Sequence, residues 1–180
     1  TQSGTMPAAA TSAPTTKSPT TAAPITAAIP FTATCTKQTQ LLDSSGSAYT
    51  LSWTLGKTAA SQPTEDVVEL ELSINQDKWM GVGFGASMSA APDFIIAHHS
   101  AARTSVHAVD ATGTGGQSKP TLDATQDIQV VSSVAQGAGG MITVRRRLTT
   151  GDAADADLST GAGAPMTVIW AIGAVSSQTG

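Results

Sequence analysis

Apolar and polar residues alternate along much of this chain with a period of two. Residues 49–55 alternate in this way, and residues 67–74 repeat the pattern with Val68, Leu70, Leu72 and Ile74 as the apolar set. Successive side chains of a β-strand point to opposite faces, so each segment predicts a strand with one buried and one solvated face.

Further short strands are predicted where apolar or alternating runs end in glycine-rich turns. These runs cover residues 79–85, 93–99, 104–110, 127–135, 141–148 and 166–174. A helical period of 3.6 is not convincing over any stretch of 11 or more residues. Many short strands with regular turns are typical of an all-β protein. We therefore expect residues 36–180 to form an antiparallel β-sandwich of about eight strands.

The first 35 residues have a different composition. Residues 1–30 contain eight Thr, three Ser, five Pro and a single charge, Lys17. Proline restricts the backbone, and Ser/Thr-rich sequence with proline is typical of O-glycosylated stalks. We predict an extended, glycosylated tail, the alternative being a disordered linker. The candidate acceptors are Thr1, Thr5, Thr11, Ser12, Thr15, Thr16, Ser18, Thr20, Thr21 and Thr26.

Composition and charge exclude several classes of protein. Charged residues make up 12% of the 180 residues and the net charge is −4, without the concentrated basic face that nucleic-acid binding requires. No apolar run approaches the ~18 residues of a membrane span. The chain begins at Thr1 rather than Met, which indicates a processed mature form or a fragment. The low fraction of charged residues favours a domain whose surface is covered by sugars or packs against neighbouring molecules.

Candidate catalytic and metal-binding residues do not form a recognisable set. His98 and His99 are adjacent, so they should face opposite sides of a strand, and only one could pair with His107. The loop 151–157 carries three aspartates, but its spacing does not match an EF-hand, and we expect a solvated acidic loop. We therefore predict no catalytic residue and no metal site.

Arg146 is the one charged residue that the pattern places inside the sandwich. It shares its strand face with Ile142 and Val144. A buried arginine needs a carboxylate partner or a position at the end of its strand.

Self-association is the interaction that the N-terminal tail favours. Ile25, Ile29 and Phe31 make residues 25–34 the most strand-like part of the tail, which could add to the edge of a sheet in its own chain or a neighbour. Cys35 is the single cysteine, and an unpaired cysteine in a secreted protein suggests a bond between chains. Head-to-tail contacts of this kind generate open polymers when the rotation between copies does not close.

Three blocks of sequence resemble the DOMON family. They are Trp79–Ala97, with its Gly-Val-Gly-Phe and Asp93, then Arg147–Asp155, and then Val168–Gly173 with its Ile-Trp-Ala. The resemblance covers about residues 45–175 and implies an immunoglobulin-like β-sandwich. In the cytochrome branch of this family a b-type haem is held by a Met and a His. Met88 stands at the Met position, but no His follows the Ile-Trp-Ala strand.

We expect a non-enzymatic, secreted structural module that forms a filament or surface coat through its tail. The first alternative is a haem b electron-transfer domain with Met88 as an axial ligand, in a natural chain that continues past Gly180. The second is a carbohydrate-binding module. It ranks last because Trp53, Trp79 and Trp170 are all predicted at core positions rather than on an exposed platform.

Overall fold

The computed structural model describes residues 31–43, 46–58, 65–87, 93–115, 119–159 and 166–175. These residues form eleven strands and contain no helix that could span a membrane. The strands are β1 (Phe31–Ala33), β2 (Gln38–Asp43), β3 (Tyr49–Thr58), β4 (Glu65–Ile74), β5 (Lys78–Phe84), β6 (Asp93–His99), β7 (Val106–Thr112), β8 (Thr121–Leu122), β9 (Ile128–Gln136), β10 (Gly139–Arg147) and β11 (Val168–Ala174).

The strands form two antiparallel sheets. Sheet A has the order β1-β3-β4-β10-β9, with β2 also paired to β3, and sheet B has the order β11-β5-β6-β7-β8. The predicted all-β sandwich is therefore confirmed, and every predicted strand is present. The sequence did not predict β2, whose six residues are mostly exposed, or β8, which has only two.

The core lies between the sheets and follows the predicted alternation. Val68, Leu70, Leu72 and Ile74 all point inward and are at most 5% exposed. Glu69 and Glu71 lie on the opposite face of that strand, where Glu69 pairs with Arg145 and Glu71 with Lys37. The alternation fails towards the end of β3, where Leu55 is 38% exposed.

The outer face of sheet B is covered by its own aromatic rings. The Trp79 ring lies against Gly173 on β11, and the Phe94 ring occupies the place where Gly83 would carry a Cβ. A Cβ at Gly83 or Gly173 would therefore collide with a ring. What approaches is a neighbouring side chain of the same sheet.

Replacing Leu72 by alanine should lower the free energy of unfolding by about 2–5 kcal/mol, because it leaves a cavity in the core. The matched control is Leu122→Ala, since Leu122 is 61% exposed and its truncation should change stability by less than about 0.5 kcal/mol. Urea denaturation of both variants measures the difference. Equal losses would contradict the packing described here.

Candidate functional site

A buried arginine connects the two sheets. Arg146 lies on the inner face of β10 and is 1% exposed. Its Nη1 donates a hydrogen bond of 2.5 Å to Asp93 Oδ2, and its Nη2 donates one of 3.0 Å to the backbone oxygen of Ala156. The Nη2 also lies 3.2 Å from Asp155 Oδ2. The predicted carboxylate partner is thus present, and Asp93 supplies it from the opposite sheet.

The register of sheet B brings a second carboxylate beside Asp93. Asp93 on β6 is opposite Thr112 on β7, and Asp110 is opposite Ile95. Asp93 and Asp110 are therefore diagonal neighbours on the inner face of the sheet. Asp110 is fully buried, at 0% exposure. Its backbone N–H donates a hydrogen bond to the side-chain oxygen of Gln126 and therefore does not contact the carboxylates of the cluster.

The third carboxylate comes from the loop that follows β10. This loop turns back on itself, and the Leu158 N–H donates to the Leu148 backbone oxygen. The Ala156 N–H then donates to Asp93 Oδ2 at 2.8 Å, which brings the Asp155 side chain inside at 2% exposure. The expectation of a solvated acidic loop is wrong at Asp155. Spacing along the chain does not reveal that the loop folds back over the sandwich.

The cluster has more acceptors than donors. One carboxylate oxygen from each of Asp93, Asp110 and Asp155 lies within 4.8 Å of the others, and this is the one such group of potential metal ligands among the described residues. Five carboxylate oxygens accept no hydrogen bond from a donor in the described part of the chain. They are Asp93 Oδ1 and both oxygens of Asp110 and Asp155.

Burial and neighbouring charges affect the protonation of Asp110 strongly. Loss of solvation, followed by the negative charges of Asp93 and Asp155, raises the pKa of Asp110 to about 7. Arg146 opposes this rise, but its single positive charge faces three carboxyl groups. One of the three groups must therefore hold a proton, or the cluster must hold another cation.

The histidines lie away from this cluster. His98 and His107 are cross-strand partners whose rings stack with centroids 5.0 Å apart, which confirms the predicted pairing. His99 points inward and is 8% exposed, and burial lowers its pKa. Both His98 and His99 stand at the end of β6 opposite to Asp93, about 20 Å along the strand.

Only two of the residues predicted for assembly lie within the described part of the chain. Phe31 pairs with Thr58 of its own chain, its ring lies against Gly56, and the Arg145 guanidinium is 5.1 Å from the ring centroid. Cys35 is free and exposed, and its Sγ accepts a hydrogen bond of 3.2 Å from the Leu55 N–H. Met88, Ile25, Ile29 and all the glycosylation candidates lie outside the described residues.

One expectation about the tryptophans is wrong. Trp170 faces the core side of β11, opposite Val82, and its ring meets the Tyr49 ring edge-on at 6.0 Å. It is nevertheless 41% exposed, because β11 is the edge strand of sheet B and none of the described strands covers its far side. Trp53 and Trp79 are half-buried.

Comparison with known proteins identifies the family. The DOMON domain profile matches residues 45–173, and the chain therefore belongs to the DOMON domain family. Among solved structures, the chain is similar to the cytochrome domain of Myriococcum thermophilum cellobiose dehydrogenase, with 17% identity and a TM-score of 0.44. That similarity covers 62% of this chain and 54% of the other, and no curated protein matches the sequence.

The raised pKa of Asp110 predicts that the domain loses stability as the pH rises. The pKa is about 7 in the folded state and about 3.9 in an unfolded chain, so the folded state binds the extra proton between these values. The stabilisation is complete below about pH 4 and is lost as the pH passes 7, by up to about 4 kcal/mol.

Urea denaturation between pH 5 and 8, in buffer with EDTA, measures this loss. Asp110→Asn cannot ionise, so its stability should depend less on pH than that of the wild type, and the difference between the two curves isolates this group from His99. Asp66→Asn, at an exposed position, should keep the wild-type profile. Parallel curves for the wild type and Asp110→Asn would refute the assignment.

Proposed function

We propose that this chain is a non-catalytic DOMON module of an extracellular assembly, in which the N-terminal tail of one copy adds to a sheet edge of the next. The observation that carries the proposal is the free edge of sheet A at β9. This strand has nine residues, none of them charged, and its last five are exposed. Proteins usually protect such edges with charges or proline, since an unpaired strand edge offers backbone groups to another chain.

The geometry of β9 suits the addition of a strand. Among the described strands only β10 pairs with it, so on its other side no described strand occupies the backbone groups. The pairing of β9 with β10 has one register shift, between Thr143 and Val144, which bends the strand once. No charged side chain on β9 protects its edge. Val134 near its end is 41% exposed and offers an apolar contact.

The opposite edge of sheet A is occupied by the chain itself. β1 and β2 both pair with β3, so the segment from Phe31 to Asp43 covers that edge almost from end to end. In the proposed assembly the residues before Phe31, which lie outside the described part of the chain, would reach a neighbouring molecule, with Ile25 and Ile29 as contacts. Tail and acceptor edge are then different surfaces, and repeated contacts of this type generate an open polymer when the rotation between copies does not close into a ring.

The composition of the tail supports an extracellular location for the assembly. A segment rich in Thr, Ser and Pro with one charge in 30 residues can be kept soluble by O-linked sugars. Exposed Cys35 lies beside β3 at the base of the tail, where it could form a disulfide between copies. These features fit a secreted filament or surface coat.

Light scattering after size-exclusion chromatography tests the proposal. The glycosylated wild type should form oligomers that grow with protein concentration. Val134→Lys should leave the domain folded and shift it to monomer, because a charge on the edge opposes strand addition. Deletion of residues 1–30 should have the same effect. Thr121→Lys, on the exposed edge strand β8, is the matched control and should assemble like the wild type. A wild type that stays monomeric at every concentration would refute the proposal.

Haem b binding is the second candidate, favoured by membership of the DOMON family and by the sequence position of Met88. The described residues fit this group poorly. The three histidines lie on β6 and β7, and His98 Nδ1 is already bonded to the His99 backbone oxygen at 2.9 Å.

An absorption spectrum of the protein after addition of haem decides this candidate. A Soret band that shifts on reduction, and that disappears in Met88→Ala, would support it. If the assembly proposal is correct, the wild type and Met88→Ala should both give only the spectrum of free haem. Met88→Leu is the control variant, because it preserves the apolar volume of the side chain but removes the thioether that would bind the iron.

A further inference from the structure

We propose that Asp93, Asp110 and Asp155 bind a divalent cation of the calcium type in the interior of the sandwich. The proposal does not depend on assembly or on haem, because it concerns residues that neither uses. It begins from Asp110, a fully buried carboxyl group that no donor of the described residues satisfies. A buried carboxyl group without a partner is costly unless it holds a proton or binds a cation, and the charges of the cluster, given below, favour a cation.

The hydrogen bonds leave at least one oxygen of each aspartate without a donor. Asp93 Oδ2 is saturated by Arg146 and the Ala156 N–H, but Asp93 Oδ1 is not. The carboxylates of Asp110 and Asp155 contribute four more oxygens without hydrogen bonds, of which Asp155 Oδ2 lies 3.2 Å from Arg146 Nη2. One oxygen from each aspartate lies within 4.8 Å of the others, and further carboxylate oxygens, water or a backbone carbonyl can complete the six to eight ligands of calcium.

The charges of the cluster suit a dication. Arg146 carries one positive charge and the three ionised aspartates carry three negative charges, which leaves a net charge of −2. A divalent cation neutralises the site, whereas one proton would still leave a buried charge of −1. Neutralising the interior lowers the cost of burying these groups, and the all-oxygen donors select hard cations over zinc or copper.

Burial of the site favours calcium over magnesium. Two oxygens that share an ion can be no further apart than twice the metal–oxygen distance, which is about 4.6–5.2 Å for calcium. One oxygen from each aspartate lies within 4.8 Å of the others, which is compatible with a shared calcium ion. Magnesium retains several waters, for which a site with side chains at most 3% exposed has little access.

The proposed ion would join three parts of the fold. Asp93 and Asp110 belong to two strands of sheet B, and Asp155 belongs to the loop that follows β10 of sheet A. Arg146 already joins these parts on one side of the cluster, and the ion would do so on the other. Its role would be structural, since the site is closed to substrates.

Isothermal titration calorimetry and thermal denaturation at pH 8 test the proposal on the full chain after dialysis against EDTA. Calcium chloride should bind at one site. At about 100 times the dissociation constant it should raise the unfolding midpoint by roughly 5–10 °C. Magnesium chloride at the same concentration should raise it less.

Matched Asp→Asn variants identify the site. Asp110→Asn and Asp155→Asn should each weaken calcium binding at least tenfold, and the exposed control Asp66→Asn should bind as the wild type does. Using two variants on different elements keeps the test valid if one of them fails to fold. A wild type that calcium neither binds nor stabilises would overturn the proposal in favour of a shared proton. Binding that survives both variants would also overturn it, because the ion would then lie elsewhere.

Discussion

The buried ion pair between Arg146 and Asp93 is the interaction on which the contact between β10 of sheet A and β6 of sheet B depends. It is the point where a charged side chain of one sheet crosses the core to reach the other, and both groups are almost completely buried. Removing one partner of such a pair leaves an uncompensated charge in the interior, typically at a cost of about 3–5 kcal/mol. The relative position of β10 and β6 is therefore constrained by chemistry as well as by packing.

The same ion pair organises the loop that follows β10. Arg146 donates to the Ala156 backbone oxygen, and the Ala156 N–H donates to Asp93, so the loop is bonded to both members of the pair. This places Asp155 inside the protein and creates an excess of buried negative charge beside Asp110. The excess makes the interior sensitive to protons and to cations, a property that a purely apolar sandwich would not have.

The two edges of sheet A differ in how they are covered and charged. One edge of sheet A is covered by β1 and β2 of the same chain, while β9 at the other edge is uncharged and exposed. Outer-face charges are concentrated on β4 and β10, where Glu69 and Arg145 pair. The distribution separates a charged face from an uncharged edge, and this separation is the basis for proposing directional contacts between copies.

The sequence by itself determined the fold class, most strand positions and the need of Arg146 for a carboxylate, because these follow from periodicity and from the cost of burying a charge. It also indicated the DOMON family through three short blocks. The tertiary structure alone decided which carboxylates meet. Asp93, Asp110 and Asp155 are separated by many residues and come together through the β6–β7 register and the fold of a loop. Burial of Asp155 and exposure of Trp170 likewise depend on which elements lie next to them, which spacing along a chain does not contain.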